Sequence, residues 1–284
     1  WGNFKKFRNA SLFASSLIFY AWGEPKYIAI LLFSILLNWF IGLLLSSKKN
    51  RKLILFIGCF ANLSLLAFFK YLGFFLGSLG QAETIEAYFG LDVSLIHLPI
   101  GISFFTFQAL SYLVDVYKKE VKPQKNIIKF GLYLSLFPQL IAGPIVRYID
   151  VVKDLDKRIF DYENLEKGFT RFCIGLSKKV LIANPAGALS DGIFTSDYSL
   201  LNFQAAWLGV VAYSIQIFYD FSGYSDMAIG IGKMLGFDFP ENFNYPYIAK
   251  SIQEFWRRWH MTLSGFFRDY VYIPLGGSRV GEAR

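Results

Sequence analysis

His260 is one of two histidines in the 284-residue chain and stands in the run Phe255-Trp256-Arg257-Arg258-Trp259-His260-Met261-Thr262-Leu263-Ser264. Imidazole, with an ordinary pKa near ~6.5, is the side chain that takes and returns a proton around neutral pH, so the chemistry it offers here is deprotonation of an acceptor hydroxyl. The plainer alternative is a histidine that hydrogen-bonds at a lipid headgroup boundary, and spacing and composition alone favour it. His97, in Leu95-Ile96-His97-Leu98-Pro99, sits where a loop enters an apolar run, and the plainer role fits it better still. Asp220 and Asp226, in Tyr219-Asp220-Phe221-Ser222-Gly223-Tyr224-Ser225-Asp226, carry two carboxylates into apolar sequence without a basic partner nearby in the chain. Such groups must face a polar cavity or find hydrogen-bond donors. The two cysteines, Cys59 and Cys173, are more than a hundred residues apart and support neither a disulfide framework nor a metal site.

These residues need elements to hold them. Ser251 and Glu254 have capping-box spacing, which predicts a helix starting near Ile252. Continued through Leu263, that helix puts Ile252, Phe255, Trp256, Trp259 and Leu263 on one apolar face, with Arg257, Arg258 and Arg268 elsewhere and His260 at the edge of the face. A basic, tryptophan-rich amphipathic helix suits a membrane interface or the mouth of a tunnel. Ala228, Gly232 and Gly236 form a small-residue stripe at four-residue spacing and predict close helix packing. No strand precedes Gly230-Ile231-Gly232, so this is not a dinucleotide fingerprint. In Phe137-Pro138-Gln139-Leu140-Ile141-Ala142-Gly143-Pro144, two prolines interrupt what hydropathy makes a spanning segment. Both a broken, re-entrant stretch and a kinked helix satisfy that pattern.

The composition sets these segments in a membrane. Apolar residues make up 54% of the chain, 31 Phe, 17 Tyr and 6 Trp contribute 19% aromatics, and charged residues are only 18%. With a mean hydropathy of +0.39, disorder, coiled coil and nucleic-acid binding are excluded as classes. The apolar runs are Ser11 to Trp22, Tyr27 to Leu45, Leu53 to Leu79 with Lys70 inside it, Leu95 to Val114, Ile127 to Val146 and Phe203 to Phe221. The net charge of +8 lies in short clusters between them. Lys and Arg excess makes residues 1 to 10, 46 to 52 and 117 to 126 cytoplasmic and leaves 23 to 26 and 80 to 94 outside. Residues 147 to 168 read as a polar surface helix and loop, and 169 to 183 as interfacial. The expected fold is all-α, a polytopic transmembrane helical protein with broken helices around a central tunnel, formed as one domain over residues 1–284. Trp1 and the glycine-rich approach to Arg284 look like cut ends, so a fragment of a longer protein is expected.

Four stretches together resemble the membrane-bound O-acyltransferases, and among them the alginate O-acetyltransferase-like subgroup. They are Gly101-Ile102-Ser103-Phe104-Phe105-Thr106-Phe107-Gln108, Phe137 to Arg147, Phe218 to Tyr247, and Phe255 to Ser264 continued through Arg268-Asp269-Tyr270 to Pro274-Leu275-Gly276-Gly277. The resemblance covers nearly the whole chain and reverses the balance on His260. It implies a helical body around a tunnel, with His260 as the first of two site histidines. The second, the one often assigned as the base, is expected some tens of residues beyond Arg284 and a further helix before Trp1, which would leave this fragment inactive alone. It also implies no bound cofactor or metal. An acetyl thioester, acetyl-CoA, would donate from the cytoplasmic side of a bacterial inner membrane to extracytoplasmic acetyl-accepting proteins and an exported polysaccharide. Trp256, Arg257, Asp226 and Gln139 are expected to line the substrate tunnel, and Arg257 and Arg258 to meet donor phosphates or lipid headgroups. The same residues leave open D-alanyl transfer to teichoic acid and O-acetylation of peptidoglycan. A transporter is the alternative from another class, opposed by the absence of an internal repeat.

Overall fold

The computed structural model describes residues 2–46, 49–79, 97–141, 143–158, 160–197 and 201–279, and among these every regular element is helical. The chain packs as two compact units, residues 1–141 with 147–155 and 273–284, and residues 142–146 with 156–272.

The first unit is built on α1 (Gly2–Gly23), α2 (Ile28–Leu44), α3 (Arg51–Ser78), α4 (Ile102–Lys118), α5 (Ile127–Ser135), the four-residue α6 (Phe137–Leu140) and most of α7 (Tyr148–Lys157). Among the described helices, α3 alone is long and apolar enough to cross a bilayer, with 28 residues and a mean hydropathy of 2.0 over its best window. It presents Leu53, Phe56, Phe60, Leu63 and Phe74 outward, as a helix facing lipid would. The 17-residue α2 is apolar but shorter. Hydropathy put a span at Leu95 to Val114; the helix instead begins at Ile102, and Leu95, Ile96 and the expected outside loop 80 to 94 fall outside the described residues.

Inside the unit, one pair of buried amides is matched across two helices. Asn38 on α2 and Asn62 on α3 are almost fully buried and exchange reciprocal amide bonds of 3.0 and 2.7 Å. Arg51, counted from sequence as loop charge, donates to the carbonyls of Leu45 (3.0 Å), Val116 (3.1 Å) and Tyr117 (2.6 Å). One guanidinium thus closes the C-terminal ends of α2 and α4, where backbone acceptors lack helical partners. His97 packs against Tyr27 and lies 3.4 Å from the Glu24 carboxylate.

The Ile127 to Val146 run is broken. Leu136 leaves helical geometry at φ −58°, ψ 112°, α6 follows for one turn, and residues 144–147 carry no regular structure. Pro138 lies in the first turn of α6, where its missing N–H costs nothing. Gly101 fits against this break: its φ is +77°, and a Cβ there would stand 2.4 Å from the Leu140 carbonyl oxygen. Only glycine satisfies both requirements.

The second unit is dominated by α8 (Tyr162–Ser177), which runs through a π segment (Lys178–Ala183) into α9 (Asn184–Phe194), and by the 32-residue α10 (Phe203–Met234). Asp161 caps α8 by accepting from the Asn164 amide at 2.7 Å. Pro185 lies just after the π segment, whose wider turn accommodates the ring that would clash with an α-helical carbonyl four residues back. Two glycine pairs join α8 to α10 in antiparallel register. A Cβ on Gly168 would meet the Gly230 oxygen at 2.6 Å, and one on Gly175 would meet the Gly223 oxygen at 2.5 Å. This corrects the expected stripe of Ala228, Gly232 and Gly236. Gly232 faces the Phe239 ring instead of a helix, and Gly236 turns the chain with φ +80° after α10 ends. The close-packing glycines are seven residues apart, two helical turns, so they recur on one side of each helix.

Candidate active site

The site lies in the second unit, where the C-terminal half of α10, the turn-rich chain at 237–245 and two short helices meet. These helices are α11 (Ile252–Arg258) and α12 (Met261–Phe267). Ser251 caps α11 by accepting from the Glu254 amide at 3.1 Å. The Glu254 carboxylate completes the cap on the Lys250 amide, 2.9 Å away, instead of on the amide of Ser251 itself. That bond and the Arg258 guanidinium hold the Glu254 carboxyl below its ordinary pKa.

The single helix predicted from Ile252 through Leu263 does not form. Trp259 is extended (φ −101°, ψ 129°) and His260 is left-handed (φ 43°, ψ 53°), so the apolar face splits between α11 and α12. The physical reason is a competing set of hydrogen bonds. The Asn244 amide donates to the Arg258 carbonyl and the Met261 amide to the Asn242 carbonyl, both at 2.9 Å, clamping the chain on either side of His260. A left-handed non-glycine residue costs roughly 1–2 kcal/mol, which these bonds offset.

The break turns His260 inward: only 9% of its surface is exposed, and the Phe221 ring meets it edge-on at 4.8 Å. Its Nδ1 lies 2.9 Å from Asn242 Oδ1. The same oxygen accepts from the Thr262 hydroxyl at 2.9 Å and faces the Thr262 amide at 3.4 Å. Asn242 Nδ2 donates to Ser225 Oγ at 2.9 Å, and the Thr262 hydroxyl in turn accepts from the Ile145 amide at 3.0 Å. The two Thr262 donors orient the amide oxygen toward His260, so Nδ1 carries the proton and Nε2 keeps its lone pair. Burial pushes the imidazole pKa down to about 4, so the ring is neutral at physiological pH. The flanking helices have seven residues each, ~10 Å of rise, and neither spans a bilayer. A neutral, buried imidazole with one nitrogen held as donor can remove a proton at the other.

Beside this network is a cavity of about 410 Å³ whose wall includes Arg171, Lys178, Asp226, Glu241, Asn242 and Met261. Asp226 is part of this wall and has found donors. Arg171 reaches its Oδ1 at 2.8 and 3.0 Å, and Lys178 reaches Oδ2 at 2.6 Å. Arg171 also forks onto Glu241, and Asp220 pairs with Lys179. The basic partners missing near Asp220 and Asp226 in sequence therefore come from α8 and its π extension, brought close by the glycine pairs.

The other expected lining residues fall elsewhere. Trp256 and Arg257 are exposed on α11, and neither belongs to this cavity wall. Arg258 is bound by Glu254 at 2.9 Å and by the Asn244 carbonyl at 3.2 Å, so it braces the loop. Gln139 is in the first unit, fully buried, with Nε2 donating to the Tyr133 carbonyl at 2.6 Å. Asn242, Ser225, Thr262 and Arg171 were not singled out from sequence. Asn242 lay within the stretch Phe218 to Tyr247 that carries the family resemblance, but nothing in a linear pattern tied it to a histidine 18 residues later.

Residues 18–284 match the family model for MBOAT, the membrane-bound O-acyltransferase family. The chain is 42% identical over 284 residues to the probable alginate O-acetylase AlgI of Pseudomonas putida, a match covering 98% of this chain and 58% of the relative. It is 40% identical to the peptidoglycan O-acetyltransferase of Helicobacter pylori over 95% of this chain and 56% of that protein. With the teichoic acid D-alanyltransferase of Bacillus subtilis, identity is 34% over 61% of this chain and 45% of the relative. The chain thus spans little more than half the length of the O-acetylating relatives it matches.

Proposed function

The chain belongs to the membrane-bound O-acyltransferase family, and on that premise we propose that the whole protein is a multi-pass O-acetyltransferase of a bacterial inner membrane. It takes an acetyl group from a cytoplasmic thioester, acetyl-CoA, and passes it across the membrane for O-acetylation of an exported polysaccharide such as alginate, through extracytoplasmic acetyl-accepting proteins. The observation that carries this reading is His260, buried and neutral with Nδ1 anchored on Asn242 and Nε2 left as a base. In the transfer, Nε2 accepts the proton of the accepting hydroxyl as its oxygen bonds to the acetyl carbon. The carbon–sulfur bond breaks, and the leaving thiolate takes up that proton from Nε2, which restores the neutral ring. A peptidoglycan acceptor is the second reading, favoured by an identity of 40% to an enzyme named for that activity.

Replacing His260 by Ala in the full-length protein tests the proposal. Base-released acetate from the exported polysaccharide is expected to disappear while the protein still accumulates in the membrane. Unchanged acetate at equal protein level would sink the reading of His260, and acetate lost from peptidoglycan instead would move the acceptor to the second reading.

A further inference from the structure

We propose that the exposed lysines gathered around Arg51 form a binding surface for the headgroups of anionic phospholipids: Lys49 and Lys52 at the start of α3, and Lys118, Lys119, Lys122 and Lys125 at the end of α4 and in the chain that follows it. The proposal asks only that the chain is membrane-bound and is independent of the acyl-transfer chemistry.

In sequence these lysines belong to two runs far apart, and their excess says only which side of a membrane they occupy. The fold brings the runs together. Arg51 donates to the Val116 and Tyr117 carbonyls at 3.1 and 2.6 Å and lies 5.3 Å from the centre of the Tyr117 ring, so the first turn of α3 sits against the last turn of α4. The second run is then tied down. The Gln124 backbone amide donates to the Tyr112 hydroxyl at 3.0 Å and its side chain to the Tyr148 hydroxyl at 2.8 Å, which fixes the backbone that carries Lys122 and Lys125. All of these lysines are exposed, and Glu120, 3.9 Å from Lys118, is the one carboxylate in residues 49–52 and 118–126.

The patch stands where headgroups lie. Leu53, Phe56 and Ile57 turn outward directly after Lys52, on the one described helix long and apolar enough to cross a bilayer. At ~1.5 Å of rise per residue, the apolar surface starts beside the cations. Lysine stems lie along such a surface and leave their ammonium groups in the headgroup layer. Lys119 is a second, independent observation. It is left-handed, with φ 67°, and ends α4 with its own amide on the Val116 carbonyl at 3.1 Å and the Glu120 amide on the Asp115 carbonyl at 2.9 Å. Glycine is the usual residue at that position, because it has no Cβ to strain. A lysine there keeps a charge on the patch that the backbone would more easily do without.

The test uses full-length protein purified in detergent and stripped of lipid, so that orientation of insertion does not enter. Phosphatidylglycerol and phosphatidylcholine with matched acyl chains are titrated in, and bound lipid is counted by native mass spectrometry. A single cation near an anionic surface favours it by roughly fivefold, so wild type is expected to prefer phosphatidylglycerol by at least that factor, and the preference should shrink as ionic strength rises. Lys122→Gln combined with Lys125→Gln should lower it several-fold. Lys167→Gln combined with Lys250→Gln, which removes equal charge from other exposed positions, should leave it unchanged. Lys119→Gly should weaken phosphatidylglycerol binding yet raise the thermal midpoint of the lipid-free protein, since glycine relieves the left-handed strain. Equal affinity for the two lipids, an equal loss in the patch and control pairs, or wild-type phosphatidylglycerol binding by Lys119→Gly would overturn the proposal. So would displacement of the lipid by soluble glycerol 3-phosphate, because the surface would then recognise free phosphate and not a membrane lipid. If the patch pair does not accumulate, the salt dependence of wild type and the Lys119→Gly protein decide.

Discussion

Gly175→Ala adds one methyl group where two helix backbones touch. The new Cβ would lie 2.5 Å from the Gly223 carbonyl oxygen, 2.8 Å from the Met227 amide nitrogen and 2.9 Å from Met227 Cγ. Two of these three neighbours are backbone, so no rotamer change relieves the contact, and α8 must back away from α10 by several tenths of an ångström or more. Overpacking of this kind costs typically ~1–3 kcal/mol, against which alanine gains back roughly 0.5–1 kcal/mol of helix propensity. The expected net loss is about 1–2 kcal/mol. Gly192→Ala is the matched control: it also lies in a helix, and its Cβ would meet nothing within 4 Å, so it should gain about 0.5–1 kcal/mol. Thermal unfolding of the purified full-length protein in detergent should place the two variants on opposite sides of wild type. Gly175→Ala and Gly223→Ala should combine to much less than their sum, because separating the helices for one relieves the other. If Gly175→Ala matches or exceeds wild type in stability, the backbone contact between α8 and α10 is not as close as argued, and so the approach of Arg171 and Lys178 to Asp226 loses its basis.

Asn38→Ala should destabilise the folded protein by about 1–3 kcal/mol by leaving the buried Asn62 amide unmatched, and Asn38→Ala with Asn62→Ala should cost less than the two single changes added; chemical denaturation of the three variants checks this. Arg171→Ala frees Glu241 and leaves Asp226 to Lys178 alone, with an expected loss of roughly 1–3 kcal/mol on the same assay. Arg171→Lys should recover only part of it, because an ammonium cannot fork onto two carboxylates. His260 titrates near 4 in the folded protein against an ordinary 6.5, so between those values the unfolded chain binds the extra proton. Stability should therefore fall as pH drops from about 6.5 to 4, by about 3 kcal/mol in total, and His260→Gln should flatten that part of the curve when thermal midpoints are compared across pH.

The membrane character and the helical class were legible in the chain, because each rests on local signals. Hydropathy is a property of contiguous residues, proline disfavours the interior of a helix by its own geometry, and four short stretches sufficed for family resemblance. The start of α11 at Ser251 and the break around Pro138 follow from the same local chemistry. What surrounds His260 was not legible. A helix was the sound expectation for Ile252 to Leu263, since every residue there tolerates one. The chain departs from it because Asn242 and Asn244 offer backbone bonds across a separation that periodicity does not register. The partners of Asp226 lie 48 and 55 residues upstream, and the glycines that bring them close repeat every seven residues on two helices, a pattern with meaning only once the helices are paired. Sequence alone determined which residues can leave water, which cannot continue a helix and which can carry a proton. Tertiary packing decided which nitrogen of His260 holds that proton and which cation answers each carboxylate, because hydrogen-bond direction and ion pairing depend on distances that only the folded chain sets.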